Sequence, residues 1–119
     1  MSSTKPLGSA RIALVQCKPR KGAFVENLAT LRGTFAQLAE LESPPEVIVL
    51  PEAALSGYFL EGAIYDAART AERFSHELSE LWRDVAGDRS VELVSGFFEA
   101  DSGTYYNSAI WLALDASET

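Results

Sequence analysis

The run Val47-Ile48-Val49-Leu50 constrains this chain most, because it is apolar, rich in β-branched residues and cut off at once by Pro51. Such a run reads as a strand buried on both faces, as in a sheet covered by helices. Proline has no N–H to give to a ladder, so the strand should stop there. The next residue, Glu52, then stands where the chain leaves the C-terminal edge of the sheet, the edge at which open α/β sheets place their ligands. A carboxylate at that point is the most chemically suggestive feature of the sequence. Its competing reading is a solvated loop acid.

The flanking sequence supplies the rest of a sheet. Arg11 to Gln16 is a compact apolar run suited to a first buried strand, and Pro19 and Gly22 break it as turn residues. Between Glu26 and Leu41, the residues Leu28, Leu31, Phe35, Leu38 and Leu41 recur at three- and four-residue spacing, which predicts an amphipathic helix with one face on a sheet. Pro44 disfavours helical geometry at Ser43, so that helix must end before it. The order so far is β-α-β, which implies parallel strands and a right-handed crossover.

Beyond Glu52 lies a loop, Ser56 to Gly62, and a short helical turn is expected somewhere in Ala63 to Arg73. Phe74, Leu78, Leu81, Trp82 and Val85 mark a second amphipathic helix, closed by Gly87-Asp88. His76 falls between those apolar positions and reads as a partly exposed helix residue rather than a base. Val91 to Glu99 and Tyr105 to Leu114 read as two strands joined at Asp101-Ser102-Gly103, close enough to pair as a hairpin. Two helices and four strands leave one face of the sheet to be covered. Only a short tail, Asp115 to Thr119, follows the last strand, so apolar surface is expected to await a partner chain, another copy or further sequence.

Composition narrows the function classes. A chain of 119 residues suits one small domain and can bury roughly two-thirds of its unfolded surface. A net charge of −7 argues against a nucleic-acid or anionic-membrane partner. No apolar run approaches the ~20 residues of a membrane helix. Residues 1–9 read as a flexible leader without the apolar core of a signal peptide, so a cytoplasmic address is the default. The single Cys17 excludes an internal disulfide, and one cysteine with one histidine argues against a transition-metal site within the chain. Lys18, Arg20 and Lys21 read as an exposed basic loop. No glycine-rich phosphate loop follows the first strand, which weakens a flavodoxin-like binding domain.

Several of these pieces, taken in order, carry a resemblance. They are Arg11-Ile12-Ala13-Leu14-Val15-Gln16, Asn27, Val47 to Glu52 with Ser56-Gly57-Tyr58, Ser95 to Glu99, and Tyr106-Asn107-Ser108-Ala109. The set resembles the N-terminal part of the carbon–nitrogen hydrolases, the nitrilase superfamily, over about residues 10 to 114. The resemblance implies an α/β fold, the N-terminal half of an α-β-β-α sandwich, with residues 10–119 forming a partial hydrolase domain. It also implies a Glu–Lys–Cys triad. Cysteine attacks the carbon of an amide, carbamoyl group or nitrile, glutamate moves protons as general base and acid, and lysine steadies the developing oxyanion.

Only Glu52 of that triad maps onto this sequence, because the family's lysine and cysteine follow the strand that matches Tyr105–Leu114. Cys17 comes after the first strand, where the family has no catalytic residue, and reads as a small buried or half-buried thiol; Lys18 and Lys21 fail for the same positional reason. Tyr58 either lines the substrate pocket or packs, and Asn107 and Ser108 serve strand and turn hydrogen bonding. No cofactor or metal is implied, since the chemistry runs on side chains. The implied partners are a small amide, carbamoyl or nitrile substrate and a complementing C-terminal half or a homo-oligomer. The alternative is a truncated, non-catalytic relative acting as an interaction or dimerisation module.

Overall fold

A computed structural model describes residues 10–16, 24–51 and 68–115. The leader, Cys17 with its basic neighbours, Glu52, Tyr58 and residues 63–67 of the expected helical turn lie outside the described residues. The elements are β1 (Ile12–Leu14), α1 (Phe24–Ala39), β2 (Val47–Val49), α2 (Ala71–Ala86), β3 (Val91–Asp101) and β4 (Thr104–Leu114). They build one four-stranded sheet in the order β1-β2-β3-β4. The first three strands are parallel, and β4 returns antiparallel to β3.

Two crossovers of the same hand, both advancing in one direction along the sheet, lay their helices on the same face. The core is therefore single-sided. Leu31 and Phe35 of α1 meet Phe74, Leu78 and Trp82 of α2 above Ile48 and Leu93 of the sheet. Phe35 and Trp82, 0% and 1% exposed, pack edge to face with ring centroids 5.5 Å apart. Burial of each such side chain stabilises by about 1.5–3 kcal/mol. Arg32 and Asp84 close the helix pair at its surface with a 2.9 Å ion pair. Both side chains are at least half exposed, so the pair contributes roughly 0–1 kcal/mol.

Local chemistry fixes where the elements turn. The Thr70 side chain accepts a hydrogen bond from the Arg73 N–H at 3.2 Å and caps α2. Gly87, at φ +65°, ends that helix, and its N–H donates to the Arg83 carbonyl. The β3–β4 ladder closes at Asp101 and Thr104. Ser102 and Gly103 between them have φ of +51° and +80°, the left-handed conformation at both positions that a tight hairpin of this twist demands.

The opposite face of the sheet is open. Register aligns Leu14, Val49, Val94 and Trp111 as one row across all four strands. Leu14 is 71% exposed and Trp111 68%, while Val49 and Val94 between them are half-buried. The strands are thus buried by helices on one side only, which is the missing layer that the element count implies. Among the described residues no helix is long and apolar enough to cross a membrane.

Candidate functional site

Parallel strands deliver their C-terminal ends to one edge, and here Leu14, Val49 and Val94 stand level. The ladder runs one residue further on each side. Val15 N–H donates to the Val49 carbonyl at 2.9 Å and Leu50 N–H to the Val94 carbonyl at 2.8 Å. Leu50 is buried, and Pro51 behind it, half-buried, is the last described residue before Glu52. The strand stops where proline removes the next donor, as the sequence predicts.

β3 does not stop at that edge. With β4 it continues to Asp101, so the upper half of the hairpin stands above the parallel strands. Phe97 anchors this wall: it is buried and stacks on Phe74 of α2, with ring centroids 4.4 Å apart and planes inclined by 6°. The chain that leaves the sheet at Pro51 comes back to the same flank of β3. Arg69 pairs in parallel with Glu99; its N–H donates to the Phe98 carbonyl, and Ala100 N–H donates to the Arg69 carbonyl, both at 2.9 Å. Leu50 and Arg69, which flank the chain on either side of residues 52–67, are therefore both hydrogen-bonded along one edge of β3, at Val94 and at Phe98. At roughly 3.3 Å per residue those points lie about 13 Å apart.

The polar side chains near this corner face the helix layer. Arg69, with a side chain only 12% exposed, brings its Nε to 3.3 Å from Glu77 Oε1 on α2, an ion pair rather than an aligned hydrogen bond. Its Nη1 donates to the Ala68 carbonyl at 3.1 Å. Arg73 Nε lies 3.9 Å from the other oxygen of Glu77. Ser108 Oγ donates to Glu99 Oε1 at 2.6 Å across the hairpin, the strand-to-strand role expected of it. Ser95, 1% exposed, donates to the Gly96 carbonyl, and Asn27 is buried in the first turn of α1.

The two residues that sequence reasoning places in the site, Glu52 and Tyr58, lie outside the described residues; the structure fixes their flanks, Pro51 and Ala68. His76 is exposed on α2, its Nε2 3.2 Å from Glu80 Oε1. Arg69 and Glu77 were not legible as a pair, since the sequence signals neither the return of residue 69 to β3 nor the burial that follows. Among the described residues no group of His, Cys, Asp and Glu is arranged to hold a metal ion.

A cleft of about 450 Å³ opens at the other end of the sheet, between Arg11, Pro44, Trp82, Arg89 and Glu92. Several of its polar groups are already engaged. Trp82 Nε1 donates to the Arg89 carbonyl, Glu92 accepts from Trp111 Nε1, and Arg11 pairs with Glu46 at 3.4 Å. The C-terminal edge remains the better candidate, on the general behaviour of open sheets.

Comparison with known proteins bears on this arrangement. Residues 11–118 match the family described as carbon-nitrogen hydrolase. An (R)-stereoselective amidase of Pseudomonas sp is 32% identical over 100 residues, which make up 84% of this chain and 34% of that protein. Among solved structures, an N-terminal amidase superposes with a TM-score of 0.74 at 17% identity, covering 90% of this chain and 26% of its own. A variant of the Nesterenkonia AN1 amidase, from the nitrilase superfamily, gives 0.70 at 20% identity, covering 96% and 42%. At such identities the likeness to the solved structures is one of fold. The chain spans about a third of the curated relative's length (34%).

Proposed function

The chain belongs to the carbon–nitrogen hydrolase family, and from that premise we propose that it is the part of an amide-cleaving enzyme that carries the proton-transferring carboxylate, Glu52. The observation that carries this reading is the family match across residues 11–118, within which Glu52 directly follows Pro51 at the C-terminal edge of β2. Of the substrates the family resemblance allows, amides are favoured over carbamoyl compounds and nitriles, because the 32%-identical relative is an amidase.

The division of labour follows from the chemistry. A thiol is a weak nucleophile until a base takes its proton, and an amide nitrogen leaves only when a proton reaches it. Glu52 does both in turn. A lysine then favours the oxyanion that forms at the attacked carbon. Lysine and cysteine come from a further portion, on the same polypeptide or a second one. That portion covers Leu14, Val49, Val94 and Trp111, completing a sandwich in which two sheets pack about 10 Å apart. Tyr58 lines the substrate pocket. Residues 10–119 form the partial domain behind a flexible leader 1–9, and the enzyme works in the cytoplasm without a cofactor.

One observation favours a second reading. A row of exposed apolar side chains on an open sheet face also suits a non-catalytic module that pairs through that face. The nucleotide sequence past codon 119 discriminates: a Lys-bearing strand and a Cys-bearing elbow support the enzyme, and their absence supports the module. Ammonia release from simple amides tests the enzyme reading directly. The chain alone should release none, and the completed protein should release it at a rate cut about 10²–10⁴-fold by Glu52→Gln. Release by the chain alone, abolished by Glu52→Gln, would refute the division of labour.

A further inference from the structure

We propose that the outer edge of β4 is a docking surface for a second copy of this chain, the two β4 strands pairing antiparallel about a twofold axis and joining their sheets into one. Such pairing is independent of the reading of Glu52, and its basis lies wholly in the described residues.

β4 ends the sheet: among the described residues β3 lies on one side of it and no strand on the other. The ladder fixes which way the backbone points along that edge. On β3, Glu92 N–H donates to the Glu46 carbonyl, and the Val94 carbonyl accepts from Leu50 N–H. Further along, the Phe98 carbonyl accepts from Arg69 N–H, and Ala100 N–H donates to the Arg69 carbonyl. Even-numbered residues of β3 therefore turn away from β4, and odd-numbered residues turn toward it. Register carries the alternation across, since Leu93, Ser95 and Phe97 oppose Leu112, Ile110 and Ser108. Ser108, Ile110 and Leu112 thus bond back to β3, while Asn107, Ala109, Trp111 and Ala113 direct N–H and C=O outward. All four of these residues are exposed.

Exposed edges are ordinarily blunted by charged side chains, proline or bulges. β4 uses none of these devices: its 11 residues, Thr104–Leu114, include no charged residue and no proline, and its register with β3 is unbroken. The chain as a whole carries a net charge of −7, so neutrality is particular to this strand. An uncharged strand meets its own copy without repulsion, which favours a second copy as the occupant. A twofold axis through Ile110 sets Ala109 opposite Trp111 of the second copy and Asn107 opposite its Ala113, small side chains against larger ones. Pairing at that register exchanges about eight backbone hydrogen bonds. The axis stands perpendicular to the sheet and keeps both helix layers on one face. On that face Ile110 meets its own counterpart and Leu112 meets Ser108. Ile110 and Leu112 are only partly buried at the margin of the core, so the pairing also removes apolar surface from water.

Sedimentation velocity of the full chain is the test. The mass should rise from monomer to dimer with loading concentration, and amide hydrogen exchange at Ala109 and Trp111 should slow with it. Ala109→Pro removes an outward N–H and no bond to β3, so it should weaken the dimer by at least about tenfold. Ala109 and its counterpart in the second copy are diagonal neighbours across the axis, about 7–8 Å apart. Ala109→Lys alone and Ala109→Glu alone should therefore stay monomeric, and an equimolar mixture of the two should dimerise. Recovery on mixing shows that both variants are folded. Leu14→Asp, on the open face at 71% exposure, should leave the dimer intact. A parent chain still monomeric at about 1 mM would overturn the proposal. Undiminished association in Ala109→Pro, or no association in the Lys and Glu mixture, would do the same. Loss of the dimer in Leu14→Asp would also overturn it, by moving the contact to the open face.

Discussion

Truncating Phe35 to alanine tests the one-sided core most sharply. Phe35 is wholly buried between α1, α2 and the sheet, edge-on to Trp82 at 5.5 Å. Phe→Ala in such a core costs about 3–5 kcal/mol, through lost transfer free energy and the cavity left behind. About 0.5–1.5 kcal/mol of that belongs to the ring pair. A chain of 119 residues has a total stability of about 6–18 kcal/mol at typical values per residue, so the loss is a large share. Leu14→Ala is the matched control. Leu14 is equally apolar but 71% exposed on the open face, and its truncation should cost less than about 1 kcal/mol. Urea unfolding followed by the fluorescence of Trp82, in a Trp111→Phe background, reads both. At a slope of about 2 kcal/mol per molar, Phe35→Ala should lower the midpoint by about 2 M and Leu14→Ala by less than about 0.5 M. Equal shifts for the two, or a shift for Phe35→Ala below about 0.5 M at unchanged slope, would refute the assignment of one covered and one open face.

Two further predictions follow from particular residues. Ser102 sits at φ +51° next to Gly103, so Ser102→Asn, which tolerates that conformation better, should raise the thermal midpoint by a few degrees, corresponding to about 0.5 kcal/mol; a lower midpoint in calorimetry would contradict the turn assignment. Leu14→Asp places a charge at the exposed β1 end of the row Leu14-Val49-Val94-Trp111 and should leave the chain's circular dichroism unchanged. It should also weaken binding of the completing portion by at least about 100-fold in titration calorimetry, since an unpaired buried charge costs several kcal/mol; undiminished affinity would place that interface elsewhere.

Much of the fold is legible from periodicity alone. Val47–Leu50, the apolar face of α1 and the Phe74-Leu78-Leu81-Trp82 stripe each bury the residues that the pattern marks, except where burial requires a second layer. Helix ends were less legible. α1 begins at Phe24 rather than near Glu26; Val25, 79% exposed, lies off the apolar stripe that marks the helix in the sequence. It ends at Ala39 rather than Leu41, whose side chain keeps the spacing but faces solvent at 51% exposure. Exposure of Leu14 and Trp111 could not be read from their own apolarity; it follows only from counting layers. The candidate site itself stays a sequence expectation, since Glu52 and Tyr58 lie outside the described residues and the structure describes only Pro51 at the end of β2. The Arg69–Glu77 ion pair was not legible, because a bridge between residues 69 and 99 leaves no periodic trace.

In the proposed division of labour this chain supplies the proton-transferring carboxylate and not the nucleophile. Intact-mass measurement of the completed protein, quenched during turnover of an amide substrate and mapped by peptide, distinguishes the two roles. The expected result is an acyl adduct on a cysteine outside residues 1–119, unmodified Cys17, and no adduct at all once Glu52 is replaced by Gln. An acyl group on Cys17, or one that accumulates undiminished in Glu52→Gln, would contradict it.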